Sequence, residues 1–320
     1  DPKEIVFSPG VVTGLNVVSH LYAETGGEAL VQTPIYPPFL GTPKNAGLTR
    51  IDVPLTQQLD GRYEIDFERF EQAITGQTKI FLLCNPHNPV GRVYRKAELE
   101  RLAEICLRHH VMICSDEIHS DLIYSKHQHI PIASLHPEIA QHSITLMAPS
   151  KTFNIPGLQC SFAIIQNPDL RARFQKAGEG MSGWVNLMGL VAGKAAYESG
   201  KEWLNDLMAY LQGNRDFLFD FVHRHLPGVR MVKPEGTYLA WLDCRDAGIE
   251  GNPYEFFLQK ARVAVNDGKG FGKGGEGFIR LNFGCPRSML EEALLRMQKA
   301  LELPEKQVEA STHGDPFASH

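Results

Sequence analysis

The stretch VMICSDEIHSDLIY, Val111 to Tyr124, carries Asp116, Glu117, His119 and Asp121 directly behind an apolar run. Acids and a histidine so close together are of the right type to hold a metal ion or to move protons. Two further stretches bring reactive groups to the same kind of place. CNPHNPVGR, Cys84 to Arg92, follows an apolar run and sets Asn88 among prolines that fix the backbone around it. APSKTFNIPG, Ala148 to Gly157, follows another and puts Lys151 beside Ser150. Each has an ordinary reading of its own: a turn for the first, a solvated surface charge for the second.

Taken together they make a different case. If the apolar runs are neighbouring strands of one sheet, Asn88, Asp116 and Lys151 converge on one crevice at the carboxyl ends of the strands, where ligands bind in such sheets. Pyridoxal 5'-phosphate needs a lysine for a Schiff base, a carboxylate to keep its ring nitrogen protonated and a donor to its phenolic oxygen. The trio has all three. A metal site is the weaker expectation, because Glu117 alternates away from Asp116 if the strand continues and no second His or Cys stands at ligand spacing beside them. His127 and His129, in SKHQHIP, are expected to be loop residues.

The elements that must position these residues are legible in outline. EALVQTP, KIFLLCNP, VMICSDE, SITLMAP and CSFAIIQ are expected strands, and they alternate with segments of helical period. RKAELERLAEICLRHH is an amphipathic helix with Leu99, Leu102, Ala103, Ile105 and Cys106 on one stripe. The pattern implies an α/β fold with a mostly parallel sheet and helices on both faces. From Asn186 to about His225 one or two long helices lead away from the sheet, with a boundary near Asn205. VRMVKPEGTYLAWLDC, ARVAVND, GFIRLNFG and the helix RSMLEEALLRMQKALEL then suggest a smaller mixed domain. The expected units are 1–205, a large cofactor-binding domain, 206–305, a small C-terminal domain, and 306–320, a polar tail without fixed structure. GKGFGKGG contains Gly270, Gly272 and Gly275 in the order of a dinucleotide loop, but a strand follows instead of a helix, so a flexible loop between strands is expected.

Composition narrows the partners. Over 320 residues the net charge is −5 and the basic residues are scattered, which leaves no footprint for nucleic acid or an acidic membrane. A small-molecule partner is expected. The six cysteines form no CxxC pair, so reduced, mostly buried thiols are expected. No apolar stretch is long enough to span a bilayer and no leader opens the chain, which points to the cytoplasm.

Four stretches, NPHNPVGRVY, SDEIHSDLIY, APSKTFNIPGL and FIRLNFGCPR, resemble pyridoxal-phosphate enzymes of the aspartate aminotransferase fold, fold type I, and within it the MalY/PatB cystathionine beta-lyase branch. The resemblance implies that Lys151 carries the cofactor as an imine, that Asp116 pairs with the pyridinium nitrogen and that Asn88 bonds the phenolic oxygen. It further implies that His119 and Tyr36 lie near the ring, that Thr13, Gly14 and Ser150 hold the phosphate, and that Arg280 grips the substrate's α-carboxylate. The implied activity is carbon–sulfur β-elimination from L-cystathionine or related cysteine S-conjugates by a homodimer. An aminotransferase or a non-catalytic regulatory relative is the alternative. Two departures stand out: Ala148 and Gln159 occupy places where many aminotransferases carry a phosphate-binding serine and arginine, and Asp1 falls inside the family pattern, without the N-terminal segment. Trp184 and Asn186 fall where related enzymes send residues into the partner's site, with core packing and helix capping as equal readings.

Overall fold

In the computed structural model, which describes residues 1–302, the apolar runs become strands of one seven-stranded sheet. Its members are β1 (Ile5–Ser8), β2 (Glu28–Val31), β3 (Thr49–Asp52), β6 (Thr78–Cys84), β7 (Met112–Asp116), β8 (Ser143–Met147) and β9 (Ser161–Ile164), ordered β1-β9-β8-β7-β6-β2-β3. β4 (Thr56–Gln57) and β5 (Tyr63–Glu64) form a separate ribbon. The pairs from β3 through β8 are parallel, whereas β9 runs antiparallel to both β8 and β1.

The central strands are apolar on both faces because both faces are covered. Ile80, Leu82 and Cys84 of β6 enter one core, and Phe81 and Leu83 enter the other. The first core is closed by α1 (Val11–His20), α2 (Pro37–Asn45) and α7 (Pro168–Gly178). On the second face lie α3 (Phe67–Gln72) and α4 (Lys96–Arg108), whose stripe Leu99, Leu102, Ala103, Ile105 and Cys106 is fully buried. α5 (Pro137–Gln141) precedes β8, and the single turn α6 (Pro149–Thr152) follows it.

The long helical region is α8 (Leu187–Ser199) followed by α9 (Lys201–His225). A third core gathers Leu211, Leu218 and Val222 of α9 with a second sheet and with α11 (Arg287–Glu302). That sheet is ordered β10-β11-β13-β12, from β10 (Arg230–Met231), β11 (Leu239–Asp243), β12 (Asn266–Asp267) and β13 (Phe278–Asn282), with α10 (Pro253–Phe256) between β11 and β12. The tail expected at 306–320 lies outside the described residues.

Two local readings are corrected. ARVAVND yields only a two-residue strand, since Arg262 turns the chain with a φ of 56° and only Asn266 and Asp267 come into register with β13. The glycine-rich loop is packed instead of free. Phe271 is buried against Trp241, its carbonyl accepts from the Ile35 N–H at 2.9 Å, and Gly275 lies so close to Gly268 that a Cβ would fall 1.9 Å from the Gly268 oxygen.

Candidate active site

β6, β7 and β8 are adjacent and end level, with Cys84 opposite Asp116 and Asp116 opposite Leu146. Asp116 ends β7, and the segments that leave β6 and β8 carry Asn88 and Lys151, so the register brings the sequence trio to one place. Asp116 is the last residue of β7 and is buried, with one oxygen accepting from the Ile118 N–H at 3.1 Å. Burial pushes its carboxyl up to about 7; the Glu117 charge adds to the rise, and the Ile118 N–H and the Lys151 ammonium oppose it. Lys151 stands in α6, where the Thr152 hydroxyl donates to Asp121 at 3.0 Å and ties the turn down. Burial and then the Arg280 guanidinium hold the Lys151 amine below its ordinary value, with Asp116 pulling the other way. More of the amine is therefore neutral, as a nucleophile or base requires.

Asn88 is buried, and its carbonyl oxygen accepts from Arg280 Nη1 at 2.8 Å. Its amide nitrogen keeps its two donors, and no protein group accepts from it among the described residues. Arg280 on β13 reaches across from the smaller sheet; its guanidinium lies 4.8 Å above the Phe271 ring centroid and near Tyr36 and Tyr238. Tyr36 opens α2 on the near side of the crevice. His119 is buried, lies edge-to-face on Tyr238 with centroids 5.7 Å apart, and has no partner for Nδ1. Burial, with repulsion from Lys151 and Arg280, drives its imidazole down to about 3, so the ring is neutral at physiological pH.

The residues expected around a phosphate are arranged less simply. Ser150 is half-buried in the first turn of α6, and Thr13 and Gly14 stand in the first turn of α1. Gly10 caps α1 without a side-chain bond, which leaves the amides of Val11, Val12 and Thr13 without helical acceptors. The Gly14 N–H is already taken by the Gly10 carbonyl at 3.0 Å. Gly14 serves packing instead, since a Cβ there would sit 2.9 Å from a Leu146 methyl. Gln159 takes a left-handed turn at φ 50° behind α6, and Ala148 is buried.

Glu117 turns to the opposite face of β7, as strand alternation requires. Its carboxylate accepts from the Ser115 hydroxyl at 2.9 Å and the Ile132 N–H at 3.0 Å, and it pairs with His129 Nε2 at 2.8 Å. Among the described residues no group of three His, Cys, Asp or Glu side chains is placed to hold a metal. Trp184 is fully exposed, outside the core, and the Asn186 side chain caps α8 by accepting from the Met188 N–H at 2.8 Å. Three site residues had no sequence signal. Tyr238, Phe271 and Asn266 come from the second sheet and its glycine loop, and only the pairing of β12 with β13 and the packing of that loop bring them to Arg280.

Residues 1–297 match the family described as aminotransferase class I and II. The cystathionine beta-lyase PatB of Bacillus subtilis is 41% identical over 305 residues, covering 94% of this chain and 78% of that protein. The crystal structure of OvoB superimposes with a TM-score of 0.90 at 45% identity, covering 95% of this chain and 79% of OvoB. Cystalysin from Treponema denticola, whose structure contains a pyridoxal 5'-phosphate cofactor, has a TM-score of 0.89 at 35% identity, covering 94% of this chain and 77% of its own.

Proposed function

The chain belongs to the aminotransferase class I and II family and has its α/β, pyridoxal-phosphate-dependent fold, and within that family we propose that it is a carbon–sulfur β-lyase acting on L-cystathionine or related cysteine S-conjugates. The products are pyruvate, ammonia and a thiol, with one water consumed. The observation that carries the reading is the level ending of β6, β7 and β8, with an amide donor, a buried carboxyl and a lysine at or just beyond successive strand ends. The names of the relatives, cystathionine beta-lyase and C–S lyase among them, support the reaction class.

The residues present fit pyridoxal phosphate by their chemistry. Among the described residues Asp116 is a buried carboxyl with no ion pair, acted on by the Lys151 charge alone among the cations, and a protonated ring nitrogen would supply a partner. Asn88 gives its carbonyl to Arg280 and keeps its N–H groups for a phenolic oxygen. The free amides at the start of α1, with Ser150, are donors of the kind a phosphate takes. When bound, the cofactor supplies a conjugated sink for the electron pair left at the substrate's α-carbon. Asp116 keeps the proton on the ring nitrogen. Lys151 Nζ would be the base that takes the α proton, and burial and the Arg280 guanidinium lower its basicity, which favours the neutral amine. Arg280 holds the α-carboxylate. Tyr36 and the neutral His119 wall the crevice, and His119 adds no further positive charge beside Lys151.

Residues 1–205 form the cofactor-binding unit in this reading and residues 206–305 the smaller one; the third core, closed by α9, α11 and the second sheet, supports the division. A homodimer is part of the proposal. Leu187, Met188 and Val191 of α8 are exposed beside Trp184, an apolar face of the kind that interfaces cover. No helix of the described residues is long and apolar enough to cross a membrane. The six free cysteines support a reducing compartment such as the cytoplasm. The test is to give the cofactor-loaded protein L-cystathionine in one assay, and an amino acid with 2-oxoglutarate in another. Pyruvate, ammonia and homocysteine are expected from the first. Glutamate in the second without pyruvate in the first would make it a transaminase, and silence in both a non-catalytic relative.

A further inference from the structure

We propose that Asn266 selects which edge of the Arg280 guanidinium meets a substrate carboxylate, and is thereby a positioning residue for the recognition of α-amino acids over simple amines. The inference rests on the reading of Arg280 as the carboxylate-binding residue. Asn266 and Arg280 face each other across the β12–β13 pair. The Asn266 carbonyl oxygen accepts from Nε at 3.3 Å and from Nη2 at 2.8 Å, closing the side edge of the guanidinium. Asn88 accepts from Nη1 at 2.8 Å. An arginine has five N–H donors. These three bonds leave one N–H on Nη1 and one on Nη2, so with the side edge filled a carboxylate has these two donors to engage.

The Phe271 ring restrains the guanidinium further, since its central carbon lies 4.8 Å above the ring centroid. Without Asn266 the side edge would be open, and a carboxylate could engage either edge, which would set the rest of the substrate differently with respect to Lys151. A small displacement of this kind costs much in binding and rate, because orientation has to be restored at each encounter. Asn266 touches neither the cofactor nor the reacting atoms, so its action is through Arg280.

The test is a titration of the cofactor-loaded protein with L-alanine and, separately, with ethylamine, which is L-alanine without its carboxylate, followed by the change in visible absorbance on binding. Neither ligand has a sulfur leaving group, so the readout is affinity and not turnover. Asn266→Ala is expected to weaken L-alanine by about 10-fold or more while ethylamine stays within about 2-fold, the pattern of lost orientation. Asn266→Asp keeps the shape and the acceptor on the side edge, which guards against a misfolded alanine variant, and should weaken L-alanine less than Asn266→Ala does, through the partial neutralisation of Arg280 by its charge. Equal loss for both ligands in the two variants, or no loss for either, would overturn the inference. Arg280→Ala is run alongside. If it abolishes the preference for L-alanine and the Asn266 variants do not, only the role of Asn266 falls. Should Arg280→Ala itself leave the preference intact, the carboxylate site lies elsewhere and both readings fall together.

Discussion

Asp116→Asn, in the cofactor-free protein, should raise stability at alkaline pH and do nothing at acid pH. The Asp116 carboxyl is pushed from 3.8 up to about 7, chiefly because its charged form loses water on burial. The folded state therefore binds this proton more tightly than the unfolded chain does. Below the unfolded value both states are protonated and the group contributes no pH dependence. As pH rises from about 4 to about 7 the unfolded chain ionises first, so folding loses stability across that window, and above it the loss is complete. At 1.36 kcal/mol for each pH unit, the full rise corresponds to about 4 kcal/mol, and local relaxation around the charge lowers the expected effect to about 2–4 kcal/mol. Asparagine has the same shape and still accepts from the Ile118 N–H, so the substitution removes the charge and little else. Urea unfolding of both proteins at pH 4 and pH 8, stripped of cofactor, measures it. The variant should be more stable by that amount at pH 8, with the difference vanishing near pH 4. Added pyridoxal phosphate should stabilise the parent more than the variant at pH 8, because a protonated ring nitrogen gives the carboxylate its missing cation. A variant no more stable than the parent at pH 8, or a gain of equal size at pH 4, would refute the argument from burial.

Borohydride reduction of the loaded protein should fix the cofactor on Lys151, as peptide mass will tell, and Lys151→Ala should show no label and no turnover. Arg280→Ala should raise KM for L-cystathionine by roughly 30-fold or more with a smaller change in kcat, equivalent to about 2 kcal/mol or more for the loss of a charge-assisted fork; an unchanged KM would remove Arg280 from the substrate site. Sedimentation velocity should give a dimer, and Leu187→Asp with Met188→Asp should shift it toward monomer, because both side chains are exposed on α8 and a buried charge there would lack a partner. If the pair of substitutions leaves sedimentation unchanged, the interface lies on another face.

The sequence by itself determined the central strands, the main helices and the class of chemistry. Runs such as KIFLLC and MIC are apolar at every position because both faces of the central strands are covered, and the α4 stripe has the helical period for the same reason. The trio of Asn88, Asp116 and Lys151 was legible because each follows directly on such a run, and a parallel sheet puts all those ends on one edge. Glu117 could be set apart from Asp116 by strand alternation alone. What the sequence could not determine was anything that depends on two distant segments meeting. Asn266 comes to Arg280 through one antiparallel pairing, and Tyr238 and Phe271 through packing of the second sheet and its loop. No local pattern encodes such a register, because it is set by the competition of all the packing contacts at once. The glycines at 268 and 275 follow the same logic, since their motif resembles a flexible loop until the close approach of the two backbones is seen. The exact protonation of the site was likewise decided only by the tertiary structure. Burial of Asp116, His119 and Lys151 shifts each toward its neutral form, and burial is a property of the folded chain and not of any residue in it.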